Sequence, residues 1–129
     1  MQTFKKKERI TEKKIILELF EKGNEFYVSP IRALWLVYPS AKPFTLKILI
    51  AVSNRNFKKA VERNYIKRLI REAFRKNKQT VYEKMLGKPE NIMLALQYTG
   101  KIILPYKDME EKIKVTLQRL LKEYEKTVR

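Results

Sequence analysis

The sequence predicts an α+β domain in which helices pack on a small sheet. Three observations predict it. Apolar residues recur at helical spacing near both ends of the chain and in a strongly basic central stretch. Runs rich in branched and aromatic residues lie between these segments. Turn residues separate the runs. The order reads helix, two or three strands, helix, strand, helix, and 129 residues fit one domain spanning 1–129.

In chain order, residues 1–8 form a basic leader expected to be flexible. Thr11 is placed to cap a helix from about Glu12 to Lys22, with Gly23 as its stop. Ile15, Ile16, Leu19 and Phe20 keep helical spacing within it. Phe26 to Val28, followed by Pro30, reads as a turn-rich approach to a strand. Ile31 to Tyr38 is that strand. Pro39-Ser40-Ala41-Lys42-Pro43 is a turn, and Phe44 to Val52 is a second long strand, expected to pair with the first as a hairpin. Strand alternation puts Ile31, Ala33, Trp35 and Val37 on one face and Arg32, Leu34, Leu36 and Tyr38 on the other. Both faces are partly apolar, so alternation alone selects neither as the solvent side. Ser53-Asn54-Arg55-Asn56 is a polar joint before a helix from about Lys58 to Lys76. A short helical piece is expected near Val81–Met85, ended by Gly87-Lys88-Pro89. Asn91 to Tyr98 is the next strand. The last helix, about Lys107 to Lys126, carries Met109, Ile113, Leu117, Leu120, Leu121 and Tyr124 on one side.

Composition narrows the chemistry. There are 30 Lys and Arg against 14 acids, a formal charge of +16. Such an excess opposes compaction and attracts polyanions. Hydrophobic residues make up 44% of the chain, enough for a real core. No uninterrupted apolar run reaches the roughly 18 residues of a membrane span. The basic start is followed by a charged amphipathic segment rather than the apolar region of a signal peptide. The absence of Cys removes disulfides and thiolate metal sites and fits a cytoplasmic location. The absence of His excludes imidazole general-base chemistry, His-ligated zinc and the Ser-His-Asp triad. The remaining carboxylate pairs, Glu110-Glu111 and Glu123 with Glu125, read as charges on a helix surface. No catalytic residue and no protein-bound metal or other cofactor is expected.

The informative segment is the basic helix. Arg63, Lys67, Arg71 and Arg75 fall on one i, i+4 row, with Asn64 and Arg68 beside it. Tyr65, Ile66, Leu69, Ile70, Ala73 and Phe74 cover the opposite arc. Residues 55–78 hold ten cations, Arg55, Lys58 and Lys59 among them, against two acids, a net +8. Solvated helix faces usually alternate sign, because like charges at i, i+4 each cost a few tenths of a kcal/mol. Phosphates would relieve this repulsion. Arg can grip a phosphate with two hydrogen bonds, Lys acts as a point charge, and Asn64 can reach a 2′-hydroxyl or a base edge. Aromatics among cations, Phe20, Tyr27, Trp35, Tyr38, Phe44 and Phe57, supply core packing or stacking surfaces for single strands.

Residues 59–75 closely resemble the signature helix of the bacterial ribonuclease P protein component. That family carries Arg-Asn, two residues, Lys-Arg, two residues, Arg, and all five positions are present as Arg63, Asn64, Lys67, Arg68 and Arg71. Leu19-Phe20-Glu21-Lys22-Gly23 and Val52-Ser53 are also similar to the family. The resemblance covers roughly residues 8–125. It implies a two-layer sandwich like ribosomal protein S5 domain 2, of order α-β-β-β-α-β-α with a left-handed β-α-β crossover, an exception to the usual hand. It implies a protein subunit of an endoribonuclease whose RNA subunit cleaves precursor tRNA at the mature 5′ end with Mg²⁺. The implied partners are the catalytic RNA and precursor tRNA, with no membrane and no protein partner required. The RNA-binding set is then Arg55, Lys58, Lys59, Arg63, Asn64, Lys67, Arg68, Arg71 and Arg75. Phe20 matches an aromatic that contacts the 5′ leader, while Ile16 stands where a second one is usual. Trp35 and Tyr38 are further leader-binding candidates.

Two other readings use the same charge. A generic RNA-binding or ribosomal protein would share it without a role in cleavage. A DNA-binding module would place the basic helix in the major groove, but no short helix and tight turn precede it.

Overall fold

The computed structural model describes residues 6–127. A short 3-10 turn, Lys6–Glu8, leads into α1 (Lys13–Lys22), β1 (Asn24–Val28), β2 (Ile31–Pro39), β3 (Leu46–Val52), α2 (Ala60–Asn77), α3 (Gln79–Lys84), β4 (Glu90–Tyr98) and α4 (Tyr106–Thr127). The predicted order of helices and strands is therefore present.

Strand order corrects one expectation. The sheet runs β1-β2-β4-β3, so β2 and β3 do not form a hairpin. The hairpin is instead β1–β2, and Phe26 to Val28 is strand rather than approach. β4 lies between β2, its antiparallel neighbour, and β3, its parallel neighbour. The reason lies in the composition of β4. Ile92, Met93, Leu94, Ala95 and Leu96 are all buried, so both faces of this strand demand cover and it occupies the centre. A parallel β3–β4 pair needs a long crossover, and α2 lies within it.

The two sheet faces are covered unequally. Ile31, Ala33 and Trp35 of β2 join Ile92, Leu94 and Leu96 of β4 in the main core, beneath α2 and α4. All six apolar positions predicted on α4 are buried there. The opposite face is smaller. Leu34, Met93 and Ala95 pack with Leu19 of α1 and Ile10, with Leu36 and Tyr38 half-buried at its margin.

The end of α1 depends on Gly23. Its N–H donates to the Leu19 carbonyl at 3.0 Å, and a Cβ on Gly23 would stand 2.3 Å from that oxygen. The start of α1 departs from expectation. Glu12 occupies the capping position and no side chain caps the helix. Thr11 sits one residue too early, and its hydroxyl donates to Glu12 Oε1 at 3.3 Å.

The end of the leader and the residues after it contact the domain. Ile10 donates its N–H to Ile48 O at 3.0 Å, beside an Arg9–Ile48 bridge on the outer edge of β3. Glu8 is 1% exposed and accepts from Lys78 Nζ at 2.7 Å and from the Tyr82 hydroxyl at 2.5 Å. The same hydroxyl accepts from the Leu46 N–H at 3.1 Å. Burial, and then the Glu8 bond, pushes the Tyr82 phenol well above its ordinary value. Glu8 is thus docked on the domain, because a buried acid finds its cation and a phenol there. Residues 1–5 lie outside the described residues.

Phe74 is fully buried on the inner arc of α2. Replacing it with Ala is expected to cost about 3–5 kcal/mol, read as a lower denaturant midpoint in equilibrium unfolding. An unchanged midpoint would mean the inner arc of α2 is assigned backwards.

Candidate nucleic-acid interface

The inner arc of α2, Ile66, Leu69, Ile70, Ala73 and Phe74, is locked into the core, which turns the polar arc outward. The loop before the helix is fixed as well. Phe57 is 5% exposed and anchors it. The Asn56 amide donates to Thr99 O at 3.1 Å and Gly100 O at 3.2 Å. Arg55, Lys58 and Lys59 are exposed on this held loop.

The predicted cationic row is not four equivalent groups. Arg63 Nη1 donates to the carbonyls of Phe57 and Lys58, each at 2.8 Å, and so ties the helix to its loop. Arg75 grips Glu72 through both nitrogens, Nε at 3.0 Å and Nη2 at 2.5 Å. That hydrogen bond holds the Glu72 carboxyl below the usual carboxylate range. The repulsion expected along the row is therefore relieved from within at its last step. Lys67 and Arg71 are half-buried in the middle of the row, while Asn64 and Arg68 are exposed beside it. Lys78, one of the ten cations in the stretch, is buried against Glu8 and is not part of this surface.

Two clefts flank the helix. One, of about 200 Å³, brings Lys67 and Arg71 together with Arg9, Thr11 and the β3 residues Ile48, Leu49 and Ile50. Arg9 is missing from the predicted set, since its place beside α2 depends on the docking of the leader and leaves no local signal. The other, of about 460 Å³, is lined by Val61, Asn64, Tyr65, Arg68 and Arg71. Tyr65 was expected on the buried arc and is 43% exposed.

The aromatic candidates separate. Phe20 is 41% exposed at the end of α1. Tyr38 lies on the smaller face and donates its hydroxyl to Glu18 Oε2 at 2.8 Å. Burial first, and then that bond, raises its pKa. Trp35 is 1% exposed in the main core. It differs in strand parity from Tyr38, so the two point to opposite faces, and Trp35 is removed from the leader-binding set.

Among the described residues, no three or more His, Cys, Asp or Glu gather to hold a metal ion, and no helix is long and apolar enough to cross a membrane.

The family model described as Ribonuclease P matches residues 4–125. The ribonuclease P protein component of Porphyromonas gingivalis (strain ATCC 33277) is 26% identical over 115 residues, covering 89% of this chain and 84% of that one. That of Petrotoga mobilis is 42% identical over 77 residues, 60% of this chain and 62% of the relative. In structure, the chain is similar to the RNase P protein from Thermotoga maritima, with a TM-score of 0.67 and 22% identity over 87% of this chain and 96% of that one. A Staphylococcus aureus RNase P protein mutant gives a TM-score of 0.59 at 21% identity, covering 89% of each chain. These two solved structures share the fold.

Arg63 and Arg68 differ in what they hold. Arg63→Ala removes two charge-assisted bonds to carbonyls and is expected to lower unfolding stability by about 1–3 kcal/mol. Arg68→Ala is expected to stay within about 0.5 kcal/mol. Parallel denaturant titrations check both, and equal midpoints would contradict the anchoring role of Arg63.

Proposed function

Because the chain belongs to the bacterial ribonuclease P protein family, we propose that it binds the catalytic RNA through the outer arc of α2 and supports cleavage of precursor tRNA at the mature 5′ end. One observation carries this reading. Arg63, Asn64, Lys67, Arg68 and Arg71, the five signature positions, lie on one helix whose inner arc is held by the core, with Arg55, Lys58 and Lys59 on a fixed loop beside it. A preformed cationic surface binds a phosphate backbone without first paying for its own ordering, and releases counterions as it does so.

The 5′ leader of precursor tRNA is assigned to the smaller sheet face. Phe20 is exposed there, with Tyr38 half-buried against α1. This leaves the protein bridging two polyanions, with α2 toward the RNA subunit and the α1 face toward the substrate. Its +16 charge lowers their mutual repulsion. Phosphodiester hydrolysis belongs to the RNA subunit and its Mg²⁺. The working place of such a complex is the cytoplasm, where precursor tRNA is processed.

Cleavage of precursor tRNA by a cognate ribonuclease P RNA at low Mg²⁺ is the test. Addition of the protein is expected to stimulate cleavage strongly at the mature 5′ end. RNA binding without stimulation would leave a generic RNA binder. A second measurement concerns Arg68. Its replacement by Ala should weaken binding to the RNA subunit and reduce the slope of log K against log salt by about one, the loss of one phosphate contact. An unchanged slope removes Arg68 from the phosphate contacts.

A further inference from the structure

Tyr65 and Val61 sit one helical turn apart on α2, 43% and 79% exposed. Leaving a tyrosine ring and a valine side by side in water gains the fold nothing. Together they form a small apolar surface rimmed by polar groups. Here the rim has a definite chemistry. Asn64 and Arg68 form the neighbouring row, each three residues on from Val61 and Tyr65, and these four together with Arg71 line an open, largely apolar cleft of about 460 Å³. The Arg68 guanidinium carbon lies 5.6 Å from the centroid of the Tyr65 ring, within range of a cation–π contact that steadies both groups.

A flat π-surface, with a cation at one edge and a carboxamide beside it, matches one kind of occupant. An unpaired nucleobase lays its face on the ring, its phosphate meets Arg68, and its edge or 2′-hydroxyl meets Asn64. A duplex cannot use the ring, because its bases are already stacked. An apolar peptide would use the ring and strand the two polar groups. The surrounding positive charge favours the nucleotide.

We propose that Tyr65, supported by Val61, is a base-stacking platform that takes an unpaired nucleotide of the RNA subunit. The proposal rests on the RNA-binding reading above and deepens it. It makes α2 a reader of local RNA structure as well as a phosphate clamp.

Stacking and phosphate contact differ in their response to salt, which separates the two. Binding of the RNA subunit is measured across a salt series for the unmodified protein and for Tyr65→Phe, Tyr65→Leu, Tyr65→Ala and Arg68→Ala. An unchanged unfolding midpoint confirms that each variant is folded. Tyr65→Ala is expected to weaken binding by about 5- to 150-fold, the range of one base–aromatic stack, at every salt concentration and with an unchanged slope. Tyr65→Phe keeps the ring and should bind within about twofold of the unmodified protein, whereas Tyr65→Leu should fall towards the Ala variant. Wild-type binding by Tyr65→Ala, or equal binding by Tyr65→Leu and Tyr65→Phe, overturns the platform. A slope reduced by Tyr65→Ala as much as by Arg68→Ala overturns it too, since the ring would then only position the cation. If Arg68→Ala weakens binding while Tyr65→Ala does not, the platform alone fails. If the unmodified protein does not bind the RNA subunit, the reading beneath it fails as well.

Discussion

The double-sided burial of β4 organises the molecule. An apolar run such as Ile92–Leu96 cannot lie at a sheet edge or face water on one side. It must be flanked by strands and covered above and below. β2 and β3 flank it, α2 and α4 cover the larger face, and α1 covers part of the other. Placing α2 in that cover fixes its rotation about its own axis. Phe74 and Ile70 can point only inward, so Asn64 and Arg68 must point outward. The surface we propose for RNA is in this sense a by-product of the core.

A chain with +16 formal charge must also fold against its own repulsion. Its few acids are used economically. Glu72 neutralises Arg75 at the end of α2, Glu25 pairs with Arg32 across the β1–β2 hairpin, and Glu8 meets Lys78 in the interior. None of these pairs lies among Asn64, Lys67, Arg68 and Arg71. These three pairs compensate charge at the end of α2, across the hairpin and in the interior.

Local periodicity carried much of this structure. The apolar spacing of α4 and most of that of α2 is realised, because a 3.6-residue repeat is a local property. The partnership of β2 with β4 rather than β3 is non-local, decided by which strand must be buried on both faces. Alternation separated Trp35 from Tyr38, but only the third dimension shows that the face of Trp35 is the one beneath α2 and α4. The five signature positions were legible from their register. Arg9 was not, because its place depends on a buried contact between Glu8 and Lys78, 70 positions apart. Tyr65 was misplaced because it sits at the boundary of the apolar arc, where a rotation of a few tens of degrees decides between core and solvent.

The docked leader has a consequence for the chain among its own kind. β3 is an edge strand with a mostly apolar sequence, Leu46–Val52. An open edge of that composition is a template on which another copy can add a strand, the first step of sheet-to-sheet aggregation. The Arg9–Ile48 bridge and the Ile10 bond to Ile48 occupy that edge midway along its length, and they bring a cation to it. Because Glu8 is fastened to Lys78 and Tyr82 next door, this guard is held by its own anchor. The segment before α1 thus occupies part of an edge on which another strand could otherwise add.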